Sequence, residues 1–158
     1  MTETMQRWSM NALGRENLRL IQEPVQTPGP GEVRVRVNAV ALNYRDKMVI
    51  EGTMPIPLAF PFTPASDMAG VVDSTGEGVT RFKPGARVIS TFFPEWIDGR
   101  PQADARNLPY KTSGGYFQGM LAQYVIVKED ALLAAPDTQD DPEPTTLPSP
   151  GHTPSIAQ

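Results

Sequence analysis

Two short stretches carry the side chains best suited to chemistry. Asn43-Tyr44-Arg45-Asp46 ends one apolar run, and Ala65-Ser66-Asp67 opens another. Asn43 can cap a helix through its side-chain oxygen, with the acid three positions later acting as a capping-box variant. Tyr44 offers a hydroxyl to a substrate carbonyl or cofactor hydroxyl, since such donors stabilise developing charge; the competing reading is an aromatic packed at the helix start. Asp46 reads as the box partner rather than as a base. Arg45 and Lys47 carry charge that an anionic ligand would meet, or that water simply solvates. Asp67 is a substrate-pocket candidate lying among small apolar residues, where a carboxylate needs a partner or a raised pKa. The partner expected is backbone or an arginine such as Arg87. Trp96 and Tyr110 belong to a long loop and either roof a substrate cleft or anchor the loop. His152, the only histidine, has no acid or nucleophile near it in an ordered element and reads as inert.

The elements that must hold these residues are mostly strands. Val33, Val35 and Val37 alternate with Arg34, Arg36 and Asn38, a period of two that buries one face. Ala39 to Leu42 carries that strand inward to Asn43. Residues 47–51 make a short helix, with Gly52 as its left-handed stop. Four prolines between Pro55 and Pro64 keep that stretch irregular. Met68 to Val72 suits a strand with little room on one side, and Thr75 to Gly78 is a turn. Strands are also expected over 6–11, 18–22, 87–92, 120–127 and 132–136, with a turn at 14–17. Residues 93–116 form a long loop of the kind that is functional or disordered.

Composition narrows the classes. The 158 residues allow one domain with a real core rather than two. Seventeen prolines and thirteen glycines favour turns and short strands over long helices. There is no cysteine, which removes disulfides and thiolate metal sites. The N-terminus is polar, and no run approaches the roughly 20 apolar residues of a membrane span. A soluble cytoplasmic protein with no membrane contact is therefore expected. Residues 1–128 hold 14 basic and 12 acidic groups, whereas 129–158 hold six acids and no base. No basic cluster with interleaved aromatics occurs, which argues against nucleic acid.

The ordered motifs Asp67-Met68-Ala69-Gly70-Val71-Val72, Gly76-Glu77-Gly78-Val79-Thr80-Arg81-Phe82-Lys83-Pro84-Gly85-Ala86-Arg87-Val88 and Gly119 ahead of Ala122-Gln123-Tyr124 resemble the catalytic domain of medium-chain dehydrogenases and reductases. The resemblance runs from about Gly29 to Pro136, and the zinc-independent, quinone oxidoreductase-like branch is the nearest look-alike. It implies a mainly β, GroES-like, partly open barrel with one or two short helices. It implies NADPH-dependent reduction of quinones, enones or other carbonyls. Asn43 and Tyr44 would then be catalytic and would also contact the cofactor, beside nicotinamide and substrate. In zinc-dependent relatives Asn43 corresponds to a cysteine ligand and Ser66 to a histidine ligand. An amide cannot replace a thiolate, so no metal is expected.

The family's nucleotide-binding domain should begin where this sequence stops. No G-x-G-x-x-G element or strand–glycine–helix unit is present, so the chain is not expected to hold a dinucleotide, or to catalyse, by itself. Two domains of description follow: 1–136, the GroES-like unit, and 137–158, a disordered tail in which prolines block helix and acids oppose collapse. Within it Glu143 to Gly151 resembles the helix linking the two domains of relatives, with Pro144 in place of an alanine, which suggests a truncated copy or an alternative gene end. The possible partners are a separate cofactor-binding chain or a second copy, and the alternative function is a non-catalytic β-barrel remnant or interaction module.

Overall fold

The computed structural model describes residues 3–96 and 111–136. Seven strands, one α-helix and two single 3-10 turns make up this part. In chain order the elements are β1 (Thr4–Ser9), β2 (Arg19–Pro24), β3 (Glu32–Ala41), α1 (Tyr44–Glu51), β4 (Asp67–Thr75), β5 (Arg87–Ser90), β6 (Tyr124–Lys128) and β7 (Leu132–Ala134). β1 and β2 form a two-stranded antiparallel ribbon. The other five form an antiparallel sheet in the order β6-β3-β4-β5-β7. The sheets do not close on each other, so the fold is the partly open β domain that the sequence implies.

The alternation in β3 does what its period requires. Val33 and Val35 are wholly buried, and with Met68, Val72, Val88, Met120, Val125 and Leu132 they make the main core. Register shifts between Arg34 and Val35, and between Val37 and Ala39, bend β3 against β4. A second cluster of Met10, Val49 and Phe62 fastens α1 to the irregular proline segment. Met10 and Phe62 exchange backbone hydrogen bonds at 2.9 Å in both directions, tying the first ribbon to that segment.

Several bounds need correction: β1 covers 4–9 rather than 6–11, β2 19–24 rather than 18–22, β7 132–134 rather than 132–136, and α1 starts at Tyr44 rather than at 47. Residues 120–123 are not part of β6, because the amides of Met120 and Leu121 bond the carbonyls of Ala65 and Pro64 instead of a ladder partner. β5 ends at Ser90 rather than Phe92: the Thr91 amide turns to Ala131, and the Phe92 carbonyl accepts from Ser113. The turn expected at 14–17 is a 3-10 turn over Arg15–Asn17. Among the described residues no helix is long and apolar enough to cross a membrane. The expected tail, 137–158, and residues 97–110 of the long loop lie outside the described residues.

Candidate functional site

The antiparallel register of β3 and β4 creates the site. Ala41, the last residue of β3, stands opposite Asp67, the first of β4. Asn43 follows two residues later, at the start of α1, so 24 residues of separation in sequence collapse into one contact. Asn43 Nδ2 donates to Asp67 Oδ2 at 2.6 Å. Asn43 is also the N-cap of α1, with extended backbone at φ −111°. Its N–H donates to Asp46 Oδ2 at 2.7 Å, and the two residues form a reciprocal capping box. Gly52 ends the helix at φ 74°, in the left-handed region where a side chain is strained. Both roles read for Asn43 are therefore open to one side chain, since the cap leaves its amide nitrogen for Asp67.

Asp67 and Ser66 are fully buried, and Asp46 is only 3 % exposed. Oδ1 of Asp67, Oδ1 of Asp46 and Oγ of Ser66 have no hydrogen-bond partner among the described residues. Burial pushes the Asp67 carboxyl up to about 6; the hydrogen bond from Asn43 and the charge of Arg45 oppose this, and the charge of Asp46 adds to it. Burial raises Asp46 as well, against the bond from the Asn43 backbone and the charge of Arg45. The arginine near Asp67 is thus Arg45 and not Arg87, whose place opposite Val71 lies four residues along the strand.

Arg45 also departs from expectation. It is half-buried, and its guanidinium donates to Gly114 O at 3.1 Å, to Ser113 O at 3.4 Å and to the hydroxyl of Thr112. It lies 5.1 Å from the Phe92 ring centroid as a cation–π contact. Burial pulls its pKa down, with Asp46 and Asp67 opposing. The positive charge read as ligand-seeking or solvated is a clamp on residues 112–114.

That clamp reaches the site through backbone. Gly114 sits at φ 62°, and a Cβ there would fall 2.6 Å from the Ala65 carbonyl and 2.9 Å from the Ser66 nitrogen. From the other side, Gly119 N donates to Thr63 O at 2.6 Å, Met120 N to Ala65 O at 2.9 Å and Leu121 N to Pro64 O at 3.2 Å. Gln118 Oε1 accepts from Thr63 N at 2.8 Å. Within this clasp Ala65 holds φ 75°, unusual for a residue with a side chain. Ser90 Oγ completes it, accepting from Met68 N and donating to Ser66 O, both at 3.0 Å. Sequence reasoning missed Arg45, Ser90 and residues 112–121 as positioning groups. The glycines at 114, 115 and 119 were the available signal, because clustered glycines mark close backbone approach.

Tyr44 is not packed at the helix start. It is 72 % exposed, directly after Asn43, with Lys47 Nζ 5.6 Å from its ring centroid. Trp96 is half-exposed at the end of the first described segment, and Tyr110 lies outside the described residues. A cavity of about 220 Å³ is lined by Met5, Arg7, Glu23, Arg34 and Tyr124 and by Thr63, Gln118, Gly119 and Met120 of the clasp; Asn43, Tyr44, Asp67 and Trp96 are not part of its lining. No group of three or more His, Cys, Asp or Glu among the described residues could hold a metal. At the two positions compared with zinc ligands stand Asn43, an amide whose nitrogen is a donor, and Ser66, a hydroxyl, with the Asp67 carboxylate beside them. Zinc sites are built from thiolate, imidazole and carboxylate, so this donor set does not fit that ion.

Geometry and comparison agree on the class. Residues 29–137 match the alcohol dehydrogenase GroES-like domain. The chain belongs to that family, within the medium-chain dehydrogenases and reductases. A zinc-type alcohol dehydrogenase-like protein of Schizosaccharomyces pombe is 37% identical over 126 residues, 80% of this chain and 36% of that protein. A chloroplastic quinone-oxidoreductase of Triphysaria versicolor is 30% identical over 146 residues, 91% of this chain and 38% of that protein. A crystal structure from Sinorhizobium meliloti 1021, provisionally described as an alcohol dehydrogenase, superposes with a TM-score of 0.89 at 48% identity, covering 94% of this chain and 43% of its own. The chain thus spans well under half the length of each of these proteins.

Proposed function

We propose that this chain is the catalytic-domain portion of a zinc-independent oxidoreductase that uses NADPH to reduce a carbonyl, enone or quinone, and that it is not active alone. The observation that carries the reading is the 2.6 Å hydrogen bond to Asp67 from Asn43, which stands at a position compared with a metal ligand. An amide that donates to a carboxylate offers a metal no lone pair from its nitrogen. The S. pombe relative is named as zinc-type, but the absence of cysteine from this sequence and the donor set at Asn43, Ser66 and Asp67 weigh against carrying that property over.

The cofactor, when bound, would supply a hydride. The chain's own groups would orient the acceptor: the Asn43 amide beside the reacting carbon, and the exposed Tyr44 hydroxyl as donor to the oxygen on which negative charge develops. Every strand pairing among the described residues is antiparallel, so none of them builds the parallel strand–helix unit that grips a dinucleotide. A separate chain, or sequence beyond this one, would provide it. The expected location is the cytoplasm.

NADPH titration of the purified chain, followed by Trp8 and Trp96 fluorescence and nicotinamide emission, tests the proposal. No saturable binding to the chain alone, with enone or quinone turnover when a nucleotide-binding domain is supplied, supports it. Turnover that requires added zinc would overturn it.

The alternative, an interaction module, draws on one observation. Leu42 and Tyr44 flank Asn43 and are 70 % and 72 % exposed, an apolar rim suited to a protein surface. Co-purification of a nucleotide-binding chain would unite the two readings, whereas a second copy would favour the module.

A further inference from the structure

A primary amide such as Asn43 has an oxygen that accepts and a nitrogen that donates twice. In the capping box its side chain faces the Asp46 N–H, and its nitrogen gives one hydrogen to Asp67 at 2.6 Å. One amide hydrogen remains. The side chain cannot turn over, because an ionised carboxylate accepts only and would meet the amide oxygen lone pair to lone pair. Nor can the backbone yield easily, with the Asn43 N–H held by Asp46 and Asp67 inside the β4 ladder.

The groups that face Asp67 are few. From α1 come Asn43 and the charges of Asp46 and Arg45. Its own segment contributes Ser66, β3 contributes the uncharged Ala41 opposite, and the Ser90 hydroxyl of β5 is occupied by Met68 N and Ser66 O. The Arg45 guanidinium points its hydrogen bonds at residues 112–114. Asp67 is therefore buried without a direct cationic partner, and its strongest contact is Asn43.

We infer that Asp67 is the positioning residue of the site: it fixes Asn43 as a single, outward-facing N–H donor, which selects ligands that present a neutral acceptor oxygen. This rests on the reading of a carbonyl-reducing site and adds to the Tyr44 hydroxyl a second donor, Asn43, together with the group that orients it. A carboxylate acceptor holds this orientation firmly, because hydrogen bonds to an ionised group are shorter and stronger than neutral ones. A protonated or amide side chain at position 67 can donate as well as accept, so loss of the Asp67 charge should free the Asn43 amide to turn over and remove the fixed outward donor without disturbing α1.

Side-chain NMR of the 158-residue chain tests this without cofactor or turnover, so its failure is separable from failure of the oxidoreductase reading. The Asn43 side-chain amide and the Asp67 carboxyl carbon should titrate together with a midpoint near pH 6. Above that pH, 2-cyclohexenone should shift the Asn43 amide signal, whereas cyclohexene, which lacks the oxygen, should not. In Asp67→Asn the titration should vanish and the enone response should fall about tenfold or more; Asp67→Glu should restore part of both. An Asn43 amide that does not titrate in the parent protein, that still titrates in Asp67→Asn, or that responds equally to both probes overturns the inference. Should Asp67→Asn fail to fold, the paired titration and the two probes on the parent protein still decide it.

Discussion

Arg45 and Gly114 stand 69 residues apart in sequence and 3.1 Å apart in space, joined by a guanidinium hydrogen bond to a carbonyl. Because Gly114 lies against the Ala65–Ser66 peptide, this one side chain couples the start of α1 to the opening of β4 from outside the sheet. The residue between the cap and the box acid thereby secures the geometry that the cap alone begins.

Arg45→Ala should be costly. Three acceptors on residues 112–114 would lose a charged donor, and Asp46 and Asp67 would lose their nearest cation. A loss of about 2–3 kcal/mol is expected, since hydrogen bonds to charged groups are worth more than neutral ones. Urea unfolding of the variant checks this. Removing the cation should also move the Asp67 midpoint further up, because the Arg45 charge holds it down; a carboxyl titration that stays in place would contradict the assignment.

Asp67 gives stability a pH dependence of unusual sign for a carboxylate. Its folded pKa, about 6, lies above its ordinary value of 3.8. Between these values the folded protein holds a proton that the unfolded chain has released, so stability falls as pH rises. The contribution is fully present below the ordinary value and is lost as pH passes through about 6. Melting temperature measured for parent and Asp67→Asn from pH 4 to pH 7 should show the parent's relative advantage disappearing as pH rises. A constant difference would show that Asp67 does not titrate in this window.

Gly114→Ala should destabilise far more than Gly52→Ala, although both sites have positive φ. At Gly52 the new methyl meets the flexible end of the Leu13 side chain; at Gly114 it meets the Ala65 and Ser66 backbone. Left-handed backbone costs a residue with a side chain roughly 1–2 kcal/mol, and only at Gly114 is the added clash one that a side-chain rotation cannot relieve. Chemical unfolding of the two variants side by side measures the excess. Equal losses would mean that the loop is free to move off the peptide.

Zinc should have no effect on stability. A ligand that binds only the folded state raises its melting temperature in proportion to occupancy, and the amide, hydroxyl and carboxylate at Asn43, Ser66 and Asp67 are poorly matched to that ion. Stoichiometric zinc, or removal of metal with a chelator, should leave the melting curve unchanged. A shift of several degrees would show that another donor set exists.

What was legible in the sequence was local. The cap at Asn43, the box acid at Asp46 and the stop at Gly52 follow spacing rules within one element, as does the alternation in β3, and all appear in the structure. What was not legible depended on register between distant segments. Nothing near Asp67 in sequence points to Asn43, because their meeting requires Ala41 to pair with Asp67 across two strands. Arg45 looked like any charged residue on a helix surface until residues 112–114 folded over it. The start of β6 was placed too early for the same reason: Met120 and Leu121 look like strand residues, but their amides are committed to the segment before β4.

The clasp around residues 63–66 also sets an order of assembly. Asn43 and Asp67 are both made in the first half of the chain, yet the peptide that aims Asp67 is held by amides from 119–121 and roofed by Gly114. Contacts of such long sequence separation form late and slowly, because chain entropy must be given up before they reward it. In refolding, the local pairings of β3, α1 and β4 should therefore form before the contacts that hold residues 63–66. A chain ending short of residue 121 would lack the amides that hold residues 63–65, and with them the support of the peptide that leads into Asp67.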